Sequence, residues 1–450
     1  MQLDNELQEP VHLKVVLFRR FLLNARSILK NPLPFHHKNF SKYGDTFILN
    51  LGLGGKPIFS RDSGFAQYVL QKNQKNYTKT TIQTKDLAKY VGIGLLTAEG
   101  EHWRKQRRLI QPAFHKKKLA NIMQAVQEAI DTEYQKITTD QPIDCFPIFN
   151  KLAFQTVLKS LFSGGVPEAQ IDRLQFITEQ AQHMLVRELR QPYLGWWFKL
   201  RGHIQYHIDL VEEARKILIE LVQKRRSSTT EKDDLLDMLL AARYENGEPM
   251  KEAHLIDEIL ILFVAGHETT SNALTFTAQL LAQHPEVQEG VYRESVQASE
   301  HTTNSMDFIK ACPYTKAVIE ESMRLYPPAY FIDRENYEAD SYKGIDIPKG
   351  SNLLFSIHEI HRHKALWDDP ESFKPERFYG QEAKSHSGHY YPFGAGPRMC
   401  IGNNFAMFEM ILAITTLVNK YTIDSKDTPI AIRPLITLKP KDAILVFRKR

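Results

Sequence analysis

Apolar positions recur along this chain with two different periods, and the switches between them outline its organisation. Between His12 and Leu29, Val15, Val16, Phe18, Phe21, Leu22 and Ile28 recur at helical spacing, interrupted by Arg19, Arg20 and Arg26. Such a stripe packs on a protein body or rests on a bilayer surface. Two strand-like runs, Asp45–Asn50 and Lys56–Ser60, flank a turn with Gly52, Gly54 and Gly55, which predicts a hairpin. From Glu101 to Ala298 the period is helical, with breaks at Pro112, Gly164–Pro167, Pro192–Gly195 and the polar stretch Ser227–Asp234. The longest helix is expected from about Lys251 to His284, where Pro285 stops it. A further helix over Tyr314–Tyr326 ends at Pro327 and Pro328. Strand-like pieces return at Ser351–Ile357, Ala431–Leu438 and Ala443–Phe447, and one more amphipathic helix follows Cys400.

The pattern therefore predicts a mainly α fold with a smaller β portion. The helix-rich body covers about 100–330 and 400–420, and the β-rich part about 40–60, 330–360 and 430–450. No linker is long enough to divide the chain, so a single domain over residues 1–450 is expected.

Charge and cysteine usage narrow the class. The 58 Lys and Arg against 53 Asp and Glu leave a net charge of +5, too small a surplus to argue for nucleic acid. Three cysteines, Cys145, Cys312 and Cys400, exclude a disulfide framework and suit a reducing compartment. No apolar run is long enough to span a bilayer, and Met1–Pro10 is polar and acidic, unlike a secretory signal. A cytoplasmic location is expected.

The chemistry concentrates in Tyr391-Pro-Phe-Gly-Ala-Gly-Pro-Arg-Met-Cys400-Ile-Gly402. A lone cysteine here follows a Gly-rich turn and precedes a helix whose apolar positions are Phe405, Met407, Phe408, Ile411 and Leu412. Backbone N–H groups and a helix N-terminus aimed at a sulfur stabilise its thiolate. Gly396 and Gly402 allow the backbone to approach a flat, bulky ligand. Phe393 can shield the sulfur from water, and Arg398 offers a fixed cation to a carboxylate. The plainer reading is a structural cysteine in a loop.

The spacing Phe393-x-x-Gly396-x-Arg398-x-Cys400-x-Gly402 resembles the haem-binding signature of the cytochrome P-450 monooxygenases. Five fixed positions coincide by chance with a probability on the order of 10⁻⁴ in a chain of this size. The resemblance implies the cytochrome P-450 fold, with haem b between the long central helix and the cysteine loop and its helix. It makes Cys400 the axial iron ligand.

Three further stretches extend the resemblance over nearly the whole chain. Ala265-Gly266-His267-Glu268-Thr269-Thr270 lies on the long helix, where Gly and β-branched Thr both weaken helical structure. The resemblance makes Glu268 and Thr269 an acid–alcohol pair that supplies protons to bound dioxygen. Glu321 and Arg324 share a helix face at i and i+3, and Arg377 follows in Phe373-Lys-Pro-Glu-Arg-Phe378. The resemblance assigns these three to a buried ion network with a structural role. Trp103 and Arg107, at i and i+4, would bind a haem propionate together with Arg398. Arg334 is a further candidate for that task, and His102 either contributes or is an ordinary surface histidine.

The family's substrate-facing segments map to about 77–90, 171–197, 259–269, 329–333 and 434–438. In this chain Gln83, Gln180, His183 and Arg187 make the first two polar, and Ala265 lies on the long helix. Such a face suits an oxygen-rich ligand, or else it is the solvent face of a lid helix. The expectation leans to oxidative O-demethylation of a small methyl ether such as a methylated sugar. Hydroxylation of a fatty acid, terpenoid or carotenoid is the alternative, and a peroxide-using haem-thiolate enzyme or a non-catalytic haem sensor stands further off. Electrons would come indirectly from NAD(P)H through a separate ferredoxin or flavodoxin with its reductase. Arg104, Lys105 and Arg108 beside Trp103 either form the docking patch for that partner or a solvated helix face.

Overall fold

The computed structural model describes residues 10–163, 166–380, 386, 388–425 and 428–450. The N-terminal segment read as no secretory signal, apart from Pro10, and the glycine pair at 164–165 lie outside the described residues. Strand and helix content follow the predicted proportions. The chain divides into two compact units, one built from 1–80, 329–372 and 385–400, the other from 81–328, 373–384 and 401–450.

The first unit carries a six-stranded sheet in the order Val15–Val16, Thr46–Leu49, Ile58–Ser60, Asn352–Ser356, Phe331–Asn336, Tyr77–Thr78. The first and third of its pairings are parallel and the others antiparallel. The predicted hairpin is the pair Thr46–Leu49 and Ile58–Ser60, turning through Gly52 and Gly55 at φ +67° and +88°. One face of the sheet packs Phe40, Phe47 and Phe59, with Phe47 and Phe59 stacked at 5.6 Å between ring centroids.

The N-terminal amphipathic stretch divides differently from its pattern. Val15 and Val16 form a strand, and only Phe18–Lys30 is helical. Phe21 and Ile28 pack partly against the core, but no residue of the helix is fully buried, and Leu22 and Leu23 are 53% and 86% exposed. The stripe is too wide for its small contact with the body.

The second unit is a helical assembly around Glu252–Gln283, the long helix predicted from the spacing. Its second half is buried without interruption from Thr270 to Ala282, and Thr275 and Thr277 within it donate back to carbonyls of the helix itself. Phe146–Phe162 packs along it, and Glu168–Arg190 lies against His203–Arg226. Pro313–Leu325 and Asn403–Lys420 complete this core. The expected strand Ala431–Leu438 is instead a small hairpin, Ile432–Pro434 paired with Leu438–Pro440. The chain reverses where the Leu435 N–H donates to the Thr437 carbonyl at 2.8 Å, a turn that period-2 counting does not register.

Candidate functional site

Cys400 ends a loop held in shape from within the first unit. Its N–H donates to the Phe393 carbonyl at 2.9 Å, so the two residues close one turn. Gly394 and Gly396 have φ of +72° and +68°, conformations that favour glycine. A Cβ on Gly396 would lie 1.9 Å from the Leu70 carbonyl oxygen, so nothing larger fits there. That glycine is therefore required by the packing of the loop on Leu70, not only by a ligand's approach. The loop is anchored where the Tyr391 N–H donates to buried His361 at 2.9 Å, and the Tyr391 hydroxyl to the Gly388 carbonyl at 2.6 Å. The Cys400 thiol is exposed on this anchored turn, and Phe393 and Arg398 are half-buried beside it in sequence. Arg334, in the strand Phe331–Asn336 of the same unit, is 9% exposed and donates to the Asp333 carbonyl at 2.7 Å.

Cys400 is exposed at the end of this turn, whereas Cys145 and Cys312 are buried and have their thiols pushed up in pKa by desolvation. This separates the three cysteines chemically. Gly402, in the second unit, has φ of −87° and makes no left-handed demand on the backbone.

In the second unit the long helix presents Thr269 and Ala265 on a part of its surface that stays open, while its neighbours at 267, 268 and 270 are buried. The Thr269 hydroxyl donates to the Ala265 carbonyl at 2.6 Å, the back-bond expected of a helical threonine, which leaves its lone pairs outward. Glu268 is 6% exposed, and its Oε1 meets the Lys439 Nζ at 3.0 Å and accepts from the Thr437 hydroxyl. The Asn272 amide donates to the same Thr437 hydroxyl at 3.0 Å. The acid is thus held by the hairpin Ile432–Pro440 instead of reaching into solvent. Thr437 lay inside the expected substrate segment but was not singled out, and Lys439 carried no signal at all.

Glu321, Arg324 and Arg377 are brought together. Arg324 forks onto Glu321 through Nε at 2.6 Å and Nη2 at 2.8 Å, and Arg377 Nε lies 3.4 Å from Glu321 Oε1. The Lys374 N–H adds a hydrogen bond at 2.9 Å. Glu321 and Arg324 have no exposure, and Arg377 has 8%. One buried carboxylate shared by two guanidiniums is a charge-balanced structural joint.

Trp103 and Arg107 lie half-buried on the helix Gly100–Ile110, where Arg107 Nε also donates to Gln111 at 3.3 Å. His102 is not an isolated surface histidine: its ring meets that of His254 edge-on at 5.0 Å. Of the neighbouring cations, Arg104 pairs with Glu101 and Arg108 with Glu245, all exposed.

The proposed substrate residues do not converge on one surface role. Gln83 and Gln180 are half-buried and His183 is exposed. The Arg187 guanidinium lies over the Phe198 ring at 4.9 Å, occupied by a cation–π contact. Partial burial and then the positive charges of Arg187 and Arg433 hold the His183 pKa below its usual value.

Residues 15–447 match the family model described as Cytochrome P450. The chain is 32% identical to cyclooctat-9-en-7-ol 5-monooxygenase of Streptomyces melanosporofaciens, over 74% of this chain and 73% of that one. It is 27% identical to pentalenene oxygenase of Streptomyces avermitilis, over 91% of each. Among solved structures, retinoic acid bound cyanobacterial CYP120A1 superimposes with a TM-score of 0.81 at 25% identity, covering 95% of this chain and 96% of that one.

Proposed function

The chain belongs to the cytochrome P450 family and is a monooxygenase, and from that premise we propose that it hydroxylates a C–H bond of a largely apolar carbon skeleton, terpenoid in type. The family's cofactor is a thiolate-ligated haem, which when bound supplies dioxygen activation and C–H oxidation. The residues present fit that group. In the first unit Cys400 would hold it from the end of a pinned loop, with Arg334 and Arg398 as candidates to pair with its carboxylates; in the second unit Trp103 and Arg107 are the candidates for that role.

The observation that carries the oxygenase reading is the acid–alcohol pair. Thr269 is open beside exposed Ala265, and Glu268 adjoins it within a buried stretch of the long helix. Once the Thr269 hydroxyl turns from the Ala265 carbonyl, to which it donates at rest, it would donate at the open surface, with Glu268 as the source that restores the proton. Its restraint by Lys439 and Thr437 means that the acid moves away from the hairpin to collect a proton from water. A peroxide-using enzyme has no need of this pair.

The lean toward a methylated sugar is replaced by its alternative. Arg187 is engaged with Phe198 in a cation–π contact, a use that needs no oxygen-rich ligand. Relatives named for cyclooctat-9-en-7-ol and pentalenene, and a neighbour holding retinoic acid, all handle carbon skeletons with few oxygens. Titration of the ferric Soret band with a cyclic terpene alcohol, a long-chain fatty acid and a methylated hexose tests the class. A spin-state shift with the terpenoid supports the reading, and a shift with the hexose alone overturns it.

Electrons reach this chain from a separate ferredoxin or flavodoxin and, through its reductase, from NAD(P)H. The helix Gly100–Ile110 offers Arg104, Lys105 and Arg108 to an acidic partner, since exposed pairs such as Arg104–Glu101 exchange at little cost. If Arg104→Glu with Arg108→Glu leaves the reduction rate and its salt dependence unchanged, docking lies elsewhere.

A further inference from the structure

The long helix carries two adjacent carboxylates, Asp257 and Glu258, that the oxygenase chemistry does not use. Both turn to residues 92–98, the connection that leads into the helix Gly100–Ile110. Asp257 Oδ2 accepts the Ile93 N–H at 2.9 Å. Both oxygens of Glu258 lie 3.1 Å from the Leu95 nitrogen. Asp257 also takes an ion pair from Arg215 on the helix His203–Arg226. Three separate segments therefore meet at two neighbouring side chains.

The loop is shaped to receive them. Gly92 has φ of +81°, and a Cβ there would lie 2.1 Å from Asp257 Oδ1. A Cβ on Gly94 would lie 2.6 Å from the Glu258 carboxyl group. Internally the loop closes on Thr97, whose hydroxyl donates to the Gly92 carbonyl at 2.7 Å and accepts the Gly94 N–H at 3.1 Å. That leaves the Ile93 and Leu95 N–H groups pointing outward to the two acids. Glu258 is only 1% exposed, so the hydrogen bond it accepts compensates for burying a carboxyl group that apolar side chains would otherwise replace.

We propose that Asp257 and Glu258 form a clasp that fixes loop 92–98 to the long helix and so positions the helix bearing Trp103 and Arg107. Through Arg215 the same clasp ties the loop to the helix His203–Arg226, so displacement of that helix loosens the loop. Burial pushes the Glu258 carboxyl up to about 8, outweighing the Leu95 N–H, which by itself favours the charged form. The acids are positioning residues, and the inference rests on the reading above only for what the positioned helix binds.

Hydrogen exchange read by mass spectrometry on the full-length, haem-loaded protein tests it. In Glu258→Ala and Asp257→Ala, peptides covering 92–98 are expected to exchange at least tenfold faster than in the wild type. Glu258→Gln keeps a carbonyl acceptor for Leu95 and is expected to keep the wild-type rate. The alanine variants should also weaken haem retention against apomyoglobin several-fold, with Glu258→Gln again restoring it. Unchanged exchange at 92–98 in both alanine variants overturns the clasp. So does faster exchange spread evenly over 81–328, which would mean global loosening. If the alanine variants fail to fold, Arg215→Gln, which removes the cation paired with Asp257, carries the test. The expected result is faster exchange confined to 92–98 and the segment of His203–Arg226 around 215, and unchanged exchange at 92–98 overturns the clasp. Absence of a haem-thiolate spectrum in the wild type would instead refute the functional reading, independently of the loop.

Discussion

Glu409 gives the sharpest quantitative test of how the second unit tolerates charge. It lies on the helix Asn403–Lys420 with no exposure, accepts the Thr156 hydroxyl through Oε1, and burial pushes its carboxyl up to about 8 from 4.5. The folded protein therefore keeps a proton there that the unfolded chain releases above pH 4.5. Stability is greatest below that pH, declines as pH rises, and levels off once the folded form also ionises near pH 8. At 1.36 kcal/mol per pKa unit, the loss is about 1 kcal/mol at pH 5, about 3 kcal/mol at pH 7 and about 4 kcal/mol at pH 8. Glu409→Gln keeps the shape and an acceptor for Thr156 but cannot ionise. Its stability relative to the wild type should therefore rise by about 3 kcal/mol between pH 5 and pH 8, whatever constant offset the amide introduces. Urea titrations followed by far-UV circular dichroism at four pH values measure this difference. Parallel pH profiles for the two proteins would refute the argument, because they require a Glu409 that ionises normally in the fold.

Three other substitutions address the site. Thr269→Ala should lower product formed per NAD(P)H consumed on the order of tenfold to a hundredfold, with peroxide release rising, as read by paired product and peroxide assays. Lys439→Met removes the cation 3.0 Å from Glu268 and loosens the acid from the hairpin, and should change the ratio of product to released peroxide severalfold in the same paired assays. Arg377→Leu leaves Glu321 with Arg324 as its one remaining guanidinium partner. Because Arg324 still forks onto Glu321, the substitution should cost about 1–3 kcal/mol, visible as a lower unfolding midpoint and loss of haem from the purified protein.

Much of this architecture was legible because it is written in local patterns. The long helix runs for more than eight turns on a helical period and is stopped by Pro285, so its bounds came out within a residue. The Cys400 turn needs Gly394 and Gly396 at positive φ, and such demands leave glycines in fixed places. The ion network was legible only through the family resemblance, since the i, i+3 spacing of Glu321 and Arg324 within Pro313–Leu325 is common and Arg377 joins from outside that helix. What escaped depends on contacts between residues far apart in sequence. Lys439 looks like any strand lysine until the hairpin folds beneath Glu268, and the split of 431–438 turns on a single Leu435–Thr437 hydrogen bond. The polar residues Gln180, His183 and Arg187 have helical spacing but no signal for which side faces water.

Asp257 and Glu268 are eleven residues apart on one helix, which brings them back to nearly the same face. At 1.5 Å per residue they are about 16 Å apart along its axis. Together with Glu258 they attach three distant segments to one rigid element: loop 92–98, the helix His203–Arg226 and the hairpin Ile432–Pro440. Apolar contacts would hold these segments at no greater cost, so what carboxylates add is attachment at single points that can release separately. Separate release has a measurable consequence. Sites this far apart with no shared partner have additive effects to within about 0.5 kcal/mol, whereas a single cooperative lid would couple them more strongly. The stability changes of Glu258→Ala and Lys439→Met should therefore sum in the double variant, measured by urea unfolding under one set of conditions. A coupling above about 1 kcal/mol would mean that loop and hairpin move as one body, and the picture of independent attachments would fall.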